Sequence, residues 1–136
     1  MAKLVDSSLW IDLTRTRSPR ALKLFIAAQL EDPEVCLAEP VAYEVLRHAN
    51  DAEAWLLTQQ FETLPLLATP AEVWSRGVQL GRACRRNGIT IGSLDLLIAV
   101  VALHHGAVII TFDEDFEQIA SVSPLQVKRL VRPMTP

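Results

Sequence analysis

The chain has 136 residues, half of them hydrophobic and 21% charged, with a formal net charge of −3. That length suits one domain across 1–136 that buries a core without staples, and that composition excludes a disordered chain. No uncharged apolar run is long enough to span a bilayer, so no membrane association is expected, and two widely spaced cysteines, Cys36 and Cys84, exclude a disulfide framework and point to a reduced, cytoplasmic protein.

The first residues, MAKLVDSSLW, lack a long apolar core and carry Asp6, so no signal peptide is expected. Lys3-Leu4-Val5 is a short strand ending at Asp6. Ser7 and Ser8 are the candidate caps of a brief helix over Leu9 to Leu13. After the polar loop Arg15-Thr16-Arg17, Ser18-Pro19 predicts an N-cap with proline in the first turn. Leu22, Phe25, Ile26 and Leu30 then form one apolar helical face, which Asp32-Pro33 ends. Val35-Cys36-Leu37 is a second strand. Glu39-Pro40 starts a helix on which Val41, Glu44 and Val45 share a face. Asp51 is the expected cap of the next helix, which runs to about Glu62, and Leu64 to Ala68 is a third strand. Thr69-Pro70-Ala71-Glu72 has the pattern of a capping box and opens a helix reaching Asn87-Gly88. On it, Gly77 and Gly81 lie one turn apart and would let a neighbouring element approach closely.

The rest of the chain is organised around Ser93 to Phe116. A helix with Asp95 in its first turn stays apolar through Leu103, as a core helix does. His104 and His105 suit the negative end of its dipole, and Gly106 stops it. Val108 to Ile110 is a buried strand, followed at once by Thr111, Asp113 and Asp115. Phe116 to Ala120 is a short helix, Leu125 to Val131 a last edge strand, and 133–136 a tail. Short strands alternating with helices predict an α/β fold, a mainly parallel sheet with helices on both faces. In such sheets the site lies off the carboxyl ends of the strands, where Asp6 and Asp113 should meet.

Each acid has a bland role available: Asp95 suits a helix N-terminus, Asp113 and Asp6 could be caps, and Glu44 could face solvent. Several carboxylates converging on one sheet edge would instead repel one another and raise each other's pKa. A hard cation with oxygen ligands, Mg²⁺ or Mn²⁺, relieves such a cluster and leaves room for a phosphate. Thr111 is a candidate to orient Asp113 from behind, or simply a β-branched strand end. The negative net charge argues mildly against nucleic-acid binding. With five of the 16 acids in one site, however, 13 Lys and Arg face 11 other acids, and bound divalent ions reverse the site's local sign.

These pieces resemble a PIN-domain ribonuclease, and within that group the VapC-type toxins of toxin–antitoxin pairs. The match is carried by Val5-Asp6-Ser7-Ser8, Tyr43-Glu44-Val45-Leu46, Ser93-Leu94-Asp95-Leu96-Leu97-Ile98-Ala99, Ala102 and Thr111-Phe112-Asp113-Glu114-Asp115-Phe116. The resemblance covers essentially the whole chain. It implies a three-layer α/β/α sandwich on a parallel sheet, with Mg²⁺ or Mn²⁺ held by Asp6, Glu44, Asp95 and Asp113, and Asp115 as a further candidate ligand. It implies hydrolysis of RNA, commonly tRNA or rRNA, by in-line attack of water that leaves a 5′-phosphate and a 3′-hydroxyl. Homodimers, and a cognate antitoxin that obstructs the acidic pocket and itself binds operator DNA, are also implied.

Arg15, Arg17, Arg20, Lys128, Arg129 and Arg132 are candidates to guide RNA phosphates or plain solvated surface. Trp10, Trp55 and Trp74 fit core or interface better than base stacking, and the Leu22 helix face is explained as core, with an antitoxin groove as the other reading. An aspartyl-phosphate phosphotransfer enzyme would want a second acid where Ser8 stands and a lysine near the site. A domain that keeps the acids but only binds a partner is the non-catalytic alternative.

Overall fold

A computed structural model describes residues 1–134; the last two residues of the expected tail lie outside the described residues. In chain order the elements are β1 (Lys3–Val5), α1 (Ser7–Thr14), α2 (Arg20–Leu30), β2 (Val35–Ala38), α3 (Glu39–His48) and α4 (Asp51–Phe61). They continue with β3 (Leu66–Leu67), α5 (Val73–Arg86), α6 (Ser93–His105), β4 (Val108–Thr111), α7 (Asp115–Ala120) and β5 (Gln126–Arg129). The five strands form one parallel sheet in the order β3-β2-β1-β4-β5, flanked by helices. The strand order reverses between β1 and β4. There the register pairs Val5 with Ile110, so the residues just past both strands emerge side by side.

Burial explains why these segments hold. β2 is buried at every position, as a strand covered on both faces should be. In α6, Ile98 to Ala102 are all buried, which matches its apolar run. Gly106 ends α6 in the left-handed conformation at φ 64°, which a Cβ would make costly. The close approach expected at Gly81 is made by α6: a Cβ there would meet the Leu96 side chain at 3.1 Å. Trp10 is fully buried in the core, edge-on to Phe61 with ring centroids 4.9 Å apart. Both cysteines are free and buried. No helix among the described residues is long and apolar enough to cross a membrane.

The helix starts differ from expectation in four places, each for a local reason. Of the candidate caps of α1, it is Asp6 and not Ser7 or Ser8 that caps it, because its carboxylate accepts from the Ser8 N–H. Pro19 sits at the cap position of α2, one residue earlier than a proline in the first turn, and Ser18 makes no capping bond. Asn50 rather than Asp51 caps α4, forming a reciprocal box with Glu53. The box at Thr69–Glu72 does not form: the Thr69 hydroxyl donates to Glu39 Oε1 at 3.0 Å instead, and α5 starts at Val73. The third and last strands are also shorter than expected.

Candidate metal centre

The carboxyl ends of β1 and β4 place the first acids. The Asp6 backbone N–H donates to the Ile110 carbonyl at 3.0 Å, extending the strand pairing by one bond. That bond turns the Asp6 side chain toward Thr111. Asp6 Oδ1 accepts from the Ser8 hydroxyl at 2.6 Å and from the Ser8 N–H at 3.2 Å, and Oδ2 accepts from the Thr111 hydroxyl at 2.9 Å. Thr111 Oγ1 in turn accepts from the Asp113 N–H at 2.8 Å, and Asp113 Oδ1 accepts from the Asp115 N–H at 2.9 Å. Ser8 Oγ accepts from the Phe112 N–H at 3.1 Å. The loop after β4 is therefore tied to the loop after β1 through two hydroxyls.

Two helices bring the remaining acids. Asp95 enters from the first turn of α6, whose N-terminus favours a carboxylate. Glu44 lies in α3, on the half-buried flank between Val41 and Val45. Carboxylate oxygens of Asp95, Asp113 and Asp115 all lie within 4.8 Å of one another. Asp6 and Glu44 stand outside that tight group. Both are near enough for their charges to act on Asp95.

The electrostatics are those of an uncompensated cluster. Burial, then the charges of Asp113, Glu44, Asp6 and Asp115, push Asp95 up to about 7. Burial pushes Asp6 up to about 6 against the lowering effect of its Ser8 and Thr111 hydrogen bonds. Asp115 is raised by burial and by Asp113 and Glu114. Among the described residues no Lys, Arg or His makes an ion pair with any of these five acids. Close oxygen donors, without thiolate or imidazole, fit a hard divalent cation. That cation would remove the repulsion the geometry creates.

Two features beside the pocket were not legible in the sequence. Ser8 was expected as a cap, yet its hydroxyl holds Asp6 and Phe112 together. Asp12, which carried no sequence signal, is buried at 7% exposure and accepts from Arg132 Nε at 2.7 Å. A cavity of about 370 Å³ reaches from Asp113 to Arg132 and is lined by Ser8, Phe112, Asp113, Glu114, Arg129 and Arg132. The histidines stand at helix ends, away from the acids. His104 Nδ1 lies 3.1 Å from Arg76 Nη1, and His105 Nε2 lies 2.7 Å from the Ala68 carbonyl oxygen.

Comparison with known proteins agrees with this geometry. The family model for the PIN domain matches residues 3–122. Over 127 residues the chain is 35% identical to VapC ribonuclease Mb1587 of Mycobacterium bovis, covering 90% of this chain and 95% of that one. Ribonuclease VapC11 of Mycobacterium tuberculosis matches to the same extent. Among solved structures, VapBC-1 from nontypeable Haemophilus influenzae superposes with a TM-score of 0.72 at 20% identity, covering 95% of this chain and 98% of that one. VapC20 of Mycobacterium tuberculosis, described as a sarcin-ricin loop cleaving toxin, gives 0.71 at 17% identity, covering 91% and 98%. At those identities the solved structures show the fold.

Proposed function

This chain belongs to the PIN-domain family, and we propose that it is a metal-dependent endoribonuclease of the VapC type, a toxin restrained by a cognate antitoxin. The ribonuclease relatives at 35% identity, matched over nearly their whole length, support RNA hydrolysis as the reaction. One observation carries the reading: Asp95, Asp113 and Asp115 converge within 4.8 Å at the sheet's switch point, and among the described residues no cation of the protein's own pairs with them.

In this reading Asp6, Glu44, Asp95, Asp113 and Asp115 hold Mg²⁺ or Mn²⁺. When bound, such an ion supplies charge neutralisation at a phosphodiester and makes water a better nucleophile. The protein's own groups do the positioning. Thr111 fixes the Asp6 carboxylate and the Asp113 backbone with a single hydroxyl, and Ser8 holds Asp6 from the other side. Asp6, tied by three hydrogen bonds, is held in one orientation. The half-buried Asp95 and Asp113 make the wall an RNA phosphate would approach. The exposed apolar residues Tyr43, Trp55, Leu56, Trp74 and Val78 offer surface for protein partners, here the antitoxin and a second copy. Operator DNA would be reached only through the antitoxin.

The test is incubation of the purified protein with total RNA and Mg²⁺ or Mn²⁺, with EDTA controls, mapping new 5′ ends. Discrete cleavage that disappears in EDTA and in Asp95→Asn supports the proposal. Cleavage that persists in both removes the acids from the mechanism. Stable partner capture with no cleavage by the wild type returns the chain to the non-catalytic alternative.

A further inference from the structure

We propose that Arg132 is the RNA-phosphate anchor of this site, gripping the strand one step away from the acids; the proposal rests on the nuclease reading of the acidic pocket. Arg132 follows β5 and is half exposed, yet its guanidinium is held on two sides. Its Nε donates to the buried Asp12 at 2.7 Å. Its Cζ lies 4.5 Å from the centroid of Phe112, which stacks on Phe25 with ring centroids 6.3 Å apart. Phe112 sits between Thr111 and Asp113, and Ser8 holds its N–H. The guanidinium is thereby referenced to the same loop that carries the acids.

The opposite edge of the guanidinium remains available. Among the described residues its two terminal amino groups make no bond to the protein, while it lines the cavity shared with Ser8 and Asp113. Arg129, which lines the same cavity, is already committed: it pairs with Glu117 at 2.7 Å and approaches Glu114 at 3.8 Å. An arginine held at Nε and on its face, and itself lining a polar cavity, suits bidentate capture of phosphate oxygens. Capture there sets a neighbouring phosphodiester beside Asp113.

A clamp that only pins the chain after β5 to α1 would use the same Asp12 bond. Salt dependence separates the two roles. Binding of a short 5′-fluorescein-labelled single-stranded RNA of mixed sequence is followed by initial anisotropy in Mn²⁺ across a KCl series. Cleavage of total RNA and Mn²⁺ affinity are measured in parallel. Arg132→Gln is expected to weaken RNA binding about tenfold or more, and to make the slope of log affinity against log salt shallower by about 0.7, the value for one phosphate contact on a single strand. Mn²⁺ affinity stays at the wild-type level. Arg132→Lys restores the slope, and Asp12→Asn leaves it unchanged because the guanidinium remains.

An unaltered slope in a folded Arg132→Gln protein overturns the proposal, whatever happens to its stability. If Arg132→Gln fails to fold, Arg132→Lys and Asp12→Asn decide: loss of the phosphate contact from the slope of Asp12→Asn, or no affinity change in Arg132→Lys together with a shallower slope, overturns it. Wild-type protein that binds RNA with the arginine-dependent slope but does not cleave it sinks the nuclease reading and leaves the anchor standing. Wild-type protein that neither binds nor cleaves sinks both.

Discussion

Asp6 and Asp12 stand at the two ends of α1, both buried, and the protein treats them in opposite ways. Asp12 is answered by a cation of the protein's own, Arg132 at 2.7 Å, with Arg15 at 4.0 Å. Among the described residues Asp6 is answered only by the Ser8 and Thr111 hydroxyls and one backbone N–H, and its neighbours are further carboxylates. Burying an anion without a cation is costly, and hydrogen bonds offset only part of that cost. Among the described residues no arginine pairs with the acids at the switch point. What Asp12 receives from within, the pocket would receive from outside on the proposed reading.

The strongest way to break this contrast is to neutralise one acid of the tight group. Asp95→Asn should reduce RNA cleavage by more than about 100-fold, beyond the 10–100-fold typical of changes behind a metal ligand. The same change should raise the metal-free melting temperature, because it deletes a charge that burial disfavours first and Asp113, Glu44, Asp6 and Asp115 disfavour after it. Calorimetry in EDTA would show the rise, and a fall would mean that Asp95 is a stabilising N-terminal acid and no more.

pH should reveal the same repulsion without mutation. Asp95 at about 7 and Asp6 at about 6 both titrate above the ordinary 3.8 of an aspartate. Between those values the folded protein holds protons that the unfolded chain has lost, so stability falls as pH rises through the window. The metal-free protein should therefore melt higher at about pH 5 than at about pH 8, the bound and lost protons setting the difference. Mn²⁺ should reverse the trend, since an ion binds the deprotonated acids. A metal-free melting temperature that rises from the acidic to the alkaline end would contradict the raised acids. Replacing Thr111 with Val has a smaller effect. Thr111 is fully buried, and the change removes its bonds to Asp6 and from the Asp113 N–H, at about 1–3 kcal/mol of stability and about 10–100-fold in activity. Denaturant melts and cleavage rates would check both numbers.

The sheet and its helices were legible because their signals are local. Apolar runs at Val35, Ile98 and Ile109, and the glycine at 106, specify structure through near neighbours alone. The helix starts were less legible because capping is a competition that distant groups can win. Thr69 has the right spacing to cap α5, but Glu39, thirty residues away, takes its hydroxyl. The acids could be selected by type and by their place after strands. Their ranking could not. Asp115, only a further candidate from the sequence, joins the tight group, its own N–H bound to Asp113, whereas Glu44, placed ahead of it, stands outside. The Asp12–Arg132 pair, which spans 120 residues, left no trace in any local pattern.

The smallest effect sharpens the contrast most, because its sign is opposite. Asp12→Asn keeps an acceptor oxygen for Arg132 Nε and removes only the charge. At Asp95 that replacement relieves repulsion; at Asp12 it dismantles an attraction between a side chain of 9% exposure and one of 51%. A pair so placed lies between the buried and the surface cases, so the loss should be about 1 kcal/mol. Asp12→Asn should therefore lower the melting temperature in EDTA, whereas Asp95→Asn raises it. The deficit should shrink at high salt, which screens the half-exposed arginine. Cleavage should change little, since Asp12 meets the pocket only through Arg132. If both substitutions shift the melting temperature in the same direction, the two acids are not electrostatic opposites. The claim that the pocket withholds its own cation would then lose its internal control.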